Sequence, residues 1–245
     1  MKNTLLTISV LLTMSSLVNA QQTAKPEDTE QWTPVPVKVD PGNATKAPSD
    51  AIVLFDGKNL NQWISPKTGE TAPWIVENGI FTVKPGTGNI RTREKFADCQ
   101  LHIEWRTPAG IKGEGQDRGN SGIFFMEKYE LQVLDNYTNV TYSNGQAGSI
   151  YKQFIPLVNA CRKEGEWQTY DVIFTAPKFN ADGSLLSPAR ITVLHNNVLV
   201  QNNVSLKGAT EYIGQPSYSA HGPLGIELQD HSHKVSYRNI WIRKL

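Results

Sequence analysis

The sequence predicts an all-β protein, a jelly-roll sandwich of two antiparallel sheets. The prediction rests first on many short apolar runs with period two, set between Gly, Pro, Asn and Asp. It rests next on Asn78-Gly79 between two such runs, the strongest short hairpin signal a sequence offers. Finally, no amphipathic helical pattern runs longer than about two turns. Short strands at this spacing belong to sandwiches and jelly rolls.

The chain begins with Met1-Lys2-Asn3, an apolar run from Leu5 to Leu17, and Val18-Asn19-Ala20. A basic start, a short apolar stretch and small residues before a cleavage point predict a secretory signal peptide over residues 1–20. The run is too short to cross roughly 30 Å of hydrocarbon. Gln21, not a Cys, stands directly after the cleavage point, and nothing downstream predicts a membrane span. The expected location is therefore periplasmic or secreted. Residues 21–49 are rich in Pro, Thr, Lys and Glu, with Trp32 as the large aromatic. Such a stretch buries too little apolar surface to offset its ordering entropy, and it predicts a flexible arm.

The domain, residues 50–245, opens with the strand at Ala51–Phe55, the turn Asp56-Gly57, and Trp63 returning to the core. Predicted strands follow at Trp74–Val76, Ile80–Val83, Leu101–Arg106, Gly122–Met126 and Tyr129–Leu134. Later ones fall at Tyr170–Thr175, Arg190–Leu194, Leu224–Gln229 and Val235–Ile242. His195-Asn196-Asn197 reads as a hairpin turn before a strand starting at Val198. No internal repeat is present.

The formal charge of +1, from 24 basic and 23 acidic residues, comes without long blocks of one sign. A nucleic-acid partner would need a basic footprint, and none is seen. Cys99 and Cys161 would meet an oxidising compartment after export, but spacing alone leaves their pairing open.

Strand alternation sorts the polar residues by face. His102, Glu104 and Arg106 oppose Leu101, Ile103 and Trp105; Glu130 and Gln132 oppose Leu131 and Val133; Glu227, Gln229 and His231 oppose Leu224, Ile226 and Leu228. Two accounts remain open: a solvated outer face, or a groove whose Glu, Gln, His and Arg bond to sugar hydroxyls. Glu130-Leu131-Gln132-Val133-Leu134-Asp135 resembles the E-x-D-x-x-E strand of laminarinase-type retaining glycosidases, with Gln132 for the middle acid and Asp135 for the last Glu. Asp135 joins that face only if a β-bulge follows Gln132. Asp230, His231 and His233 suggest a divalent cation, without a third clear ligand at regular spacing. G-x-S-x-G, Walker and G-x-G-x-x-G motifs are absent.

Seven blocks occur in one order. They are Leu54-Phe55-Asp56-Gly57-Lys58-Asn59-Leu60 with Trp63, Glu104-Trp105-Arg106, and Gly119-Asn120-Ser121-Gly122-Ile123. Then come Tyr129-Glu130-Leu131-Gln132-Val133 with Asp135, Gly148-Ser149-Ile150-Tyr151, Gly165-Glu166-Trp167, and Leu228-Gln229-Asp230-His231 followed by Arg238-Asn239-Ile240. This series resembles the 3-keto-disaccharide hydrolase family from about Ala51 to Leu245. Asn197, where a Gly is usual, and Ser232-His233 depart from it.

The resemblance implies a concanavalin-like jelly roll and cleavage of glycosides oxidised at C3. A C3 ketone acidifies the C2 proton; a base removes it, the enolate expels the C1 substituent, and water adds to the enone. On that footing Glu130 or His231 is expected as the base, and Arg106 or a bound cation as the enolate's partner. Asp135 or Glu104 would protonate the leaving group, while Asn120, Gln132, Tyr151 and Gln229 hold hydroxyls. An ordinary glycosidase on unoxidised sugars and a non-catalytic carbohydrate-binding module remain as alternatives.

Overall fold

The structure, a computed structural model, describes residues 24–245. The expected signal peptide, residues 1–20, lies outside the described residues. Two units are distinguished. In the first, which ends at Lys38, a short 3-10 helix spans Pro26–Thr29. Val39–Ser49, which composition places in the arm, belongs to the second unit, with Asn43 and Lys46 paired and Ser49 N donating to Asp40 O at 2.9 Å. Among the described residues, no helix is long and apolar enough to cross a membrane.

The strands of the second unit are, in order, β1 Ile52–Phe55, β2 Trp63–Ile64, β3 Ile75–Glu77, β4 Ile80–Thr82, β5 Ile90–Thr92, β6 Cys99–Arg106, β7 Ser121–Phe125 and β8 Tyr129–Val133. They continue with β9 Gln168–Thr175, β10 Lys178–Phe179, β11 Leu185–Ser187, β12 Arg190–His195, β13 Val198–Ser205, β14 Glu227–Leu228 and β15 Ser236–Lys244. An eight-stranded antiparallel sheet runs β13-β12-β9-β6-β15-β4-β3, with β1 also paired to β15. A five-stranded antiparallel sheet runs β2-β5-β14-β7-β8, and β10 and β11 form a separate pair. The result is the jelly-roll sandwich that the strand pattern predicts.

Local chemistry accounts for the turns. Asn78 and Gly79 take positive φ between β3 and β4, as a tight hairpin requires, and Asn196 and Asn197 do the same between β12 and β13. The opening block is structural. Asp56 Oδ1 accepts from Lys58 N, and the indole Nε1 of fully buried Trp63 donates to Leu54 O at 2.8 Å.

Apolar residues from both sheets fill the core: Phe81, Leu101, Ile103, Trp105, Phe174 and Tyr237 from the larger; Ile90, Ile123, Phe125, Tyr129 and Leu131 from the smaller. Each such side chain contributes on the order of 1.5–3 kcal/mol through burial. Two tyrosines on the larger sheet carry hydrogen bonds across this core. Tyr170 donates to Gln132 O at 2.8 Å, and Tyr237 donates to Ser121 Oγ at 2.7 Å. They fix β8 and β7, the strands that carry the site. Cys99 and Cys161 are both free, which answers the pairing that spacing left open.

Candidate active site

β7 and β8 pair in unbroken register, from Ser121 opposite Val133 to Phe125 opposite Tyr129. Their alternation sends Ile123, Phe125, Tyr129, Leu131 and Val133 into the core. Gly122, Phe124, Glu130 and Gln132 are thereby left on the outward face of the five-stranded sheet. Every residue of β8 is nonetheless buried, because other segments cover that face.

The cover begins with Gly148–Tyr151, which lies along the free edge of β8. Gln132 N donates to Ser149 O, Gly148 N to Gln132 O, and Tyr151 N to Glu130 O. A second segment arrives when Thr210 N bonds Lys128 O and Thr210 Oγ1 accepts from Glu130 N at 3.0 Å. Between these segments and the sheet lies a cavity of about 520 Å³. Glu130, Gln132, Gln116 and Asn120 line it together with Phe124, Thr210, Gln229 and His231, and Tyr142, Tyr151, Tyr212 and Lys152 complete the wall. That size suits a small ligand.

Glu130 is the one carboxylate among these lining residues. It is 5% exposed, and burial, with no compensating cation, pushes its carboxyl up to about 8. Gly122 makes room for it: a Cβ there would stand 2.5 Å from Glu130 Oε1. Gln116 Nε2 donates to Thr141 Oγ1 and Gly145 O, so its Oε1 is free to accept from Gln132 Nε2 at 2.8 Å. Gln132 then turns an amide oxygen towards Glu130, which suits the protonated acid. Turned end for end, Gln132 brings its nitrogen to Glu130 Oε1 at 3.2 Å and Ser121 O at 3.1 Å, which suits the carboxylate. The second orientation sets two amide oxygens 2.8 Å apart unless Gln116 turns as well.

The opposite wall is aromatic and cationic. The Tyr142 and Tyr151 hydroxyls share a hydrogen bond of 2.6 Å. Lys152 Nζ donates to Tyr212 O at 2.6 Å and stands 4.2 Å from the centre of the Tyr212 ring. Gln229 Oε1 is buried without a hydrogen-bond partner, the kind of group that a bound hydroxyl satisfies.

The residues singled out from the sequence divide between two faces. Glu130, Gln132, Asn120, Tyr151, Gln229 and His231 meet at the cavity. Glu104 and Arg106 do not: they lie on the outward face of the eight-stranded sheet, across the whole sandwich. There Glu104 bonds Arg238 Nε at 2.6 Å and Asn239 Nδ2 at 2.8 Å, and Arg106 lies 4.7 Å over the Trp167 ring. Asp135 does not line the cavity either. No bulge follows Gln132 within β8, and Asp135 instead accepts from Arg118 Nε at 2.6 Å with its side chain 2% exposed. His231 is exposed at the mouth and stacks on His233, which pairs with Asp117 at 3.2 Å. Asp230 is occupied by Gly88 N and Ser232 N. Among the described residues, no three His, Cys, Asp or Glu side chains gather as a metal set.

Gln116, Phe124, Tyr142, Lys152, Thr210 and Tyr212 were not singled out from the sequence. Of these, Lys152 had a signal in its place directly after the Gly148–Tyr151 block, and Phe124 in its outward place on the predicted strand Gly122–Met126. The others sit on irregular segments with no periodicity to read.

Residues 50–243 match the family described as the 3-keto-alpha-glucoside-1,2-lyase-like domain. A solved structure from Parabacteroides distasonis ATCC 8503, titled a "putative glycosyl hydrolase", is 53% identical with a TM-score of 0.87, covering 90% of this chain and 97% of that one. A second structure of the same title and organism is 19% identical with a TM-score of 0.58, over 80% of this chain and 94% of that one, and shows the fold alone. No curated protein matches. With four-fifths of its length matching that domain, the chain belongs to the 3-keto-alpha-glucoside-1,2-lyase-like family.

Proposed function

We propose that this protein cleaves glycosides already oxidised to the ketone at C3, by elimination across C1 and C2 followed by hydration. The observation that carries the reading is the single carboxylate of the cavity. A conventional glycosidase needs two carboxyl groups flanking the bond, roughly 5 Å apart for retention and about 6.5–9.5 Å for inversion. Here Glu130 has no carboxyl companion among the lining residues, whereas β-elimination beside a ketone needs one base.

The chemistry follows from the groups in place. Ionised Glu130 takes the C2 proton, and the electron pair moves into the enolate. Its pKa of about 8 makes it a stronger base than an ordinary carboxylate while leaving it partly ionised near neutrality. Lys152, the one Lys or Arg on the cavity wall, is the cation for the enolate oxygen. The C1–O bond then breaks, and the departing oxygen takes a proton from the newly protonated Glu130 or from the Tyr142–Tyr151 hydroxyl pair. Water adding at C1 of the enone completes a net hydrolysis. A 1,2-lyase and a hydrolase that works through this enone therefore share their first step. Asn120, Gln132 and Gln229 hold hydroxyls in this reading.

Product release is to be compared on a 3-keto-glucoside and on its unoxidised parent. Cleavage of the keto substrate alone is expected. Similar rates on both would replace this reading with an ordinary glycosidase, and silence on both with a binding module. The leader sequence supports export, and the mature protein is expected to begin at Gln21, as amino-terminal sequencing would show.

A further inference from the structure

Two amide side chains stand in line behind Glu130, and a backbone carbonyl fixes which way they point. Gln116, on the loop between β6 and β7, donates from Nε2 to Thr141 Oγ1 and to Gly145 O, each at 2.9 Å. Its backbone is held on both sides. Asn120 Nδ2 donates to Gln116 O at 2.9 Å, and Asn139 clasps the N and O of Gly115, each at 2.8 Å. The Gly145 carbonyl can only accept, so Gln116 offers it nitrogen and keeps Oε1 for Gln132 Nε2, 2.8 Å away. A turned Gln116 would set oxygen against that carbonyl.

The other end of the Gln132 amide lies 3.2 Å from Glu130 Oε1 and 3.1 Å from Ser121 O. A row of amides has a direction, with a donor at one end and an acceptor at the other. Between the carbonyls of Gly145 and Ser121, which both accept, a row of two amides lacks one donor. A proton on Glu130 supplies a donor at the end where Gln132 presents oxygen. The other groups around Glu130 do not take its place. β7 opposes it with uncharged Gly122 and Phe124, and the Tyr142 and Tyr151 hydroxyls bond each other. Lys152 lies against Tyr212, and His231 stands exposed at the mouth.

We infer that Gln116 is a positioning residue for the elimination: by keeping the Gln132 oxygen towards Glu130, it tightens the hold of Glu130 on a proton and so strengthens the base. This rests on the elimination reading above. As the C2–H bond breaks, its electron pair enters the enolate, the proton passes to Glu130, and the new O–H points to Gln132 Oε1. Gln132 keeps a second N–H and a second lone pair for a sugar hydroxyl.

The test reads the acid limb of the pH profile of kcat/KM on a 3-keto-glucoside. It also reads the Glu130 carboxyl directly, by carbon-13 NMR titration assigned with Glu130→Gln. Gln116→Met removes the anchor and frees Gln132 to turn its nitrogen to Glu130. Both midpoints are expected to fall by about one pH unit, and the plateau rate severalfold as the base weakens. Gln116→Glu keeps an acceptor before Gln132 and should not lower either midpoint. In Gln116→Met a rise, or a fall of less than about 0.3 pH units, overturns the inference, as does an equal fall in both variants. If Gln116→Met does not fold, Gln132→Met decides. Loss of the oxygen should lower the Glu130 midpoint, and a midpoint that rises or stays overturns the inference. If the wild type cleaves no 3-keto-glucoside, the elimination reading fails, and the NMR titration alone decides whether Gln116 sets the proton affinity of Glu130.

Discussion

Glu130 and Glu104 occupy equivalent places in two regions of the molecule, and their chemistry is opposite. Each lies on a strand, opposed to core residues, on the outward face of its sheet. Burial raises the pKa of both. At Glu130 nothing offsets it, and the carboxyl is pushed up to about 8. At Glu104 the neighbouring His102, Asn239 and Arg238 outweigh burial and bring the carboxyl down to about 2. A paired carboxylate is held ionised as structure; an unpaired one in a cavity is kept reactive, at a cost in stability.

The largest effect should separate the two outright. Glu130→Gln is expected to lower kcat/KM on a 3-keto-glucoside by about 10³-fold, within the usual range for removing a general base. Glu104→Gln should leave it within about twofold, while costing roughly 1–2 kcal/mol of stability through its lost charged hydrogen bonds. Equal losses of activity in both variants would erase the contrast.

The two glutamates should also oppose each other in pH dependence. Between about pH 4.5 and 8 the unfolded chain holds fewer protons at Glu130 than the folded one does, so stability falls as pH rises through that window. A tenfold change in an acid's ionisation constant corresponds to about 1.4 kcal/mol, and the penalty reaches a few kcal/mol near pH 7. Glu104 acts the other way: its contribution is present above its ordinary pKa and is lost as pH falls from about 4.5 towards 2. Thermal melts of wild type and Glu130→Gln should therefore diverge above pH 5, the variant being more stable. Over the same range the activity of the wild type should climb, levelling off above about pH 8. Parallel melts would show that Glu130 is not buried unpaired.

A smaller effect probes the remainder of the cavity. Lys152→Met is expected to cost about 10- to 100-fold in kcat, since it removes the cation assigned to the enolate. A change in KM alone would make Lys152 a binding group. The smallest effect concerns support from behind the site. Tyr170→Phe removes the donor to Gln132 O and should cost about 1 kcal/mol in chemical denaturation. Its activity should fall only severalfold, because Tyr237 still ties β7 to the larger sheet.

Much of this was legible in the residues. Period-two alternation predicted β6, β7, β8, β9, β12 and β15 within a few residues, and Asn78-Gly79 marked its hairpin. Short pieces were missed. β5, of three residues, and the β10–β11 pair carry too few alternations to stand out, and Leu224–Gln229 forms strand only at Glu227–Leu228. Glu130, Gln132, Asn120, Tyr151, Gln229 and His231 were named from face and motif, and they do share a cavity. Glu104, Arg106 and Asp135 looked equivalent and lie elsewhere.

What the sequence determined by itself was local: which residues turn, which alternate, and which side of a strand each polar group takes. These follow from backbone geometry and side-chain period, which neighbouring residues suffice to set. Which outward face becomes a site was decided only by tertiary structure. The cover over Glu130 comes from segments up to 80 residues away, through the Thr210 contact, and Glu104 finds Arg238 and Asn239 across 134 and 135 residues. A carboxylate's pKa depends on what surrounds it in space, and no local pattern records whether a distant segment will bring a guanidinium or leave a cavity.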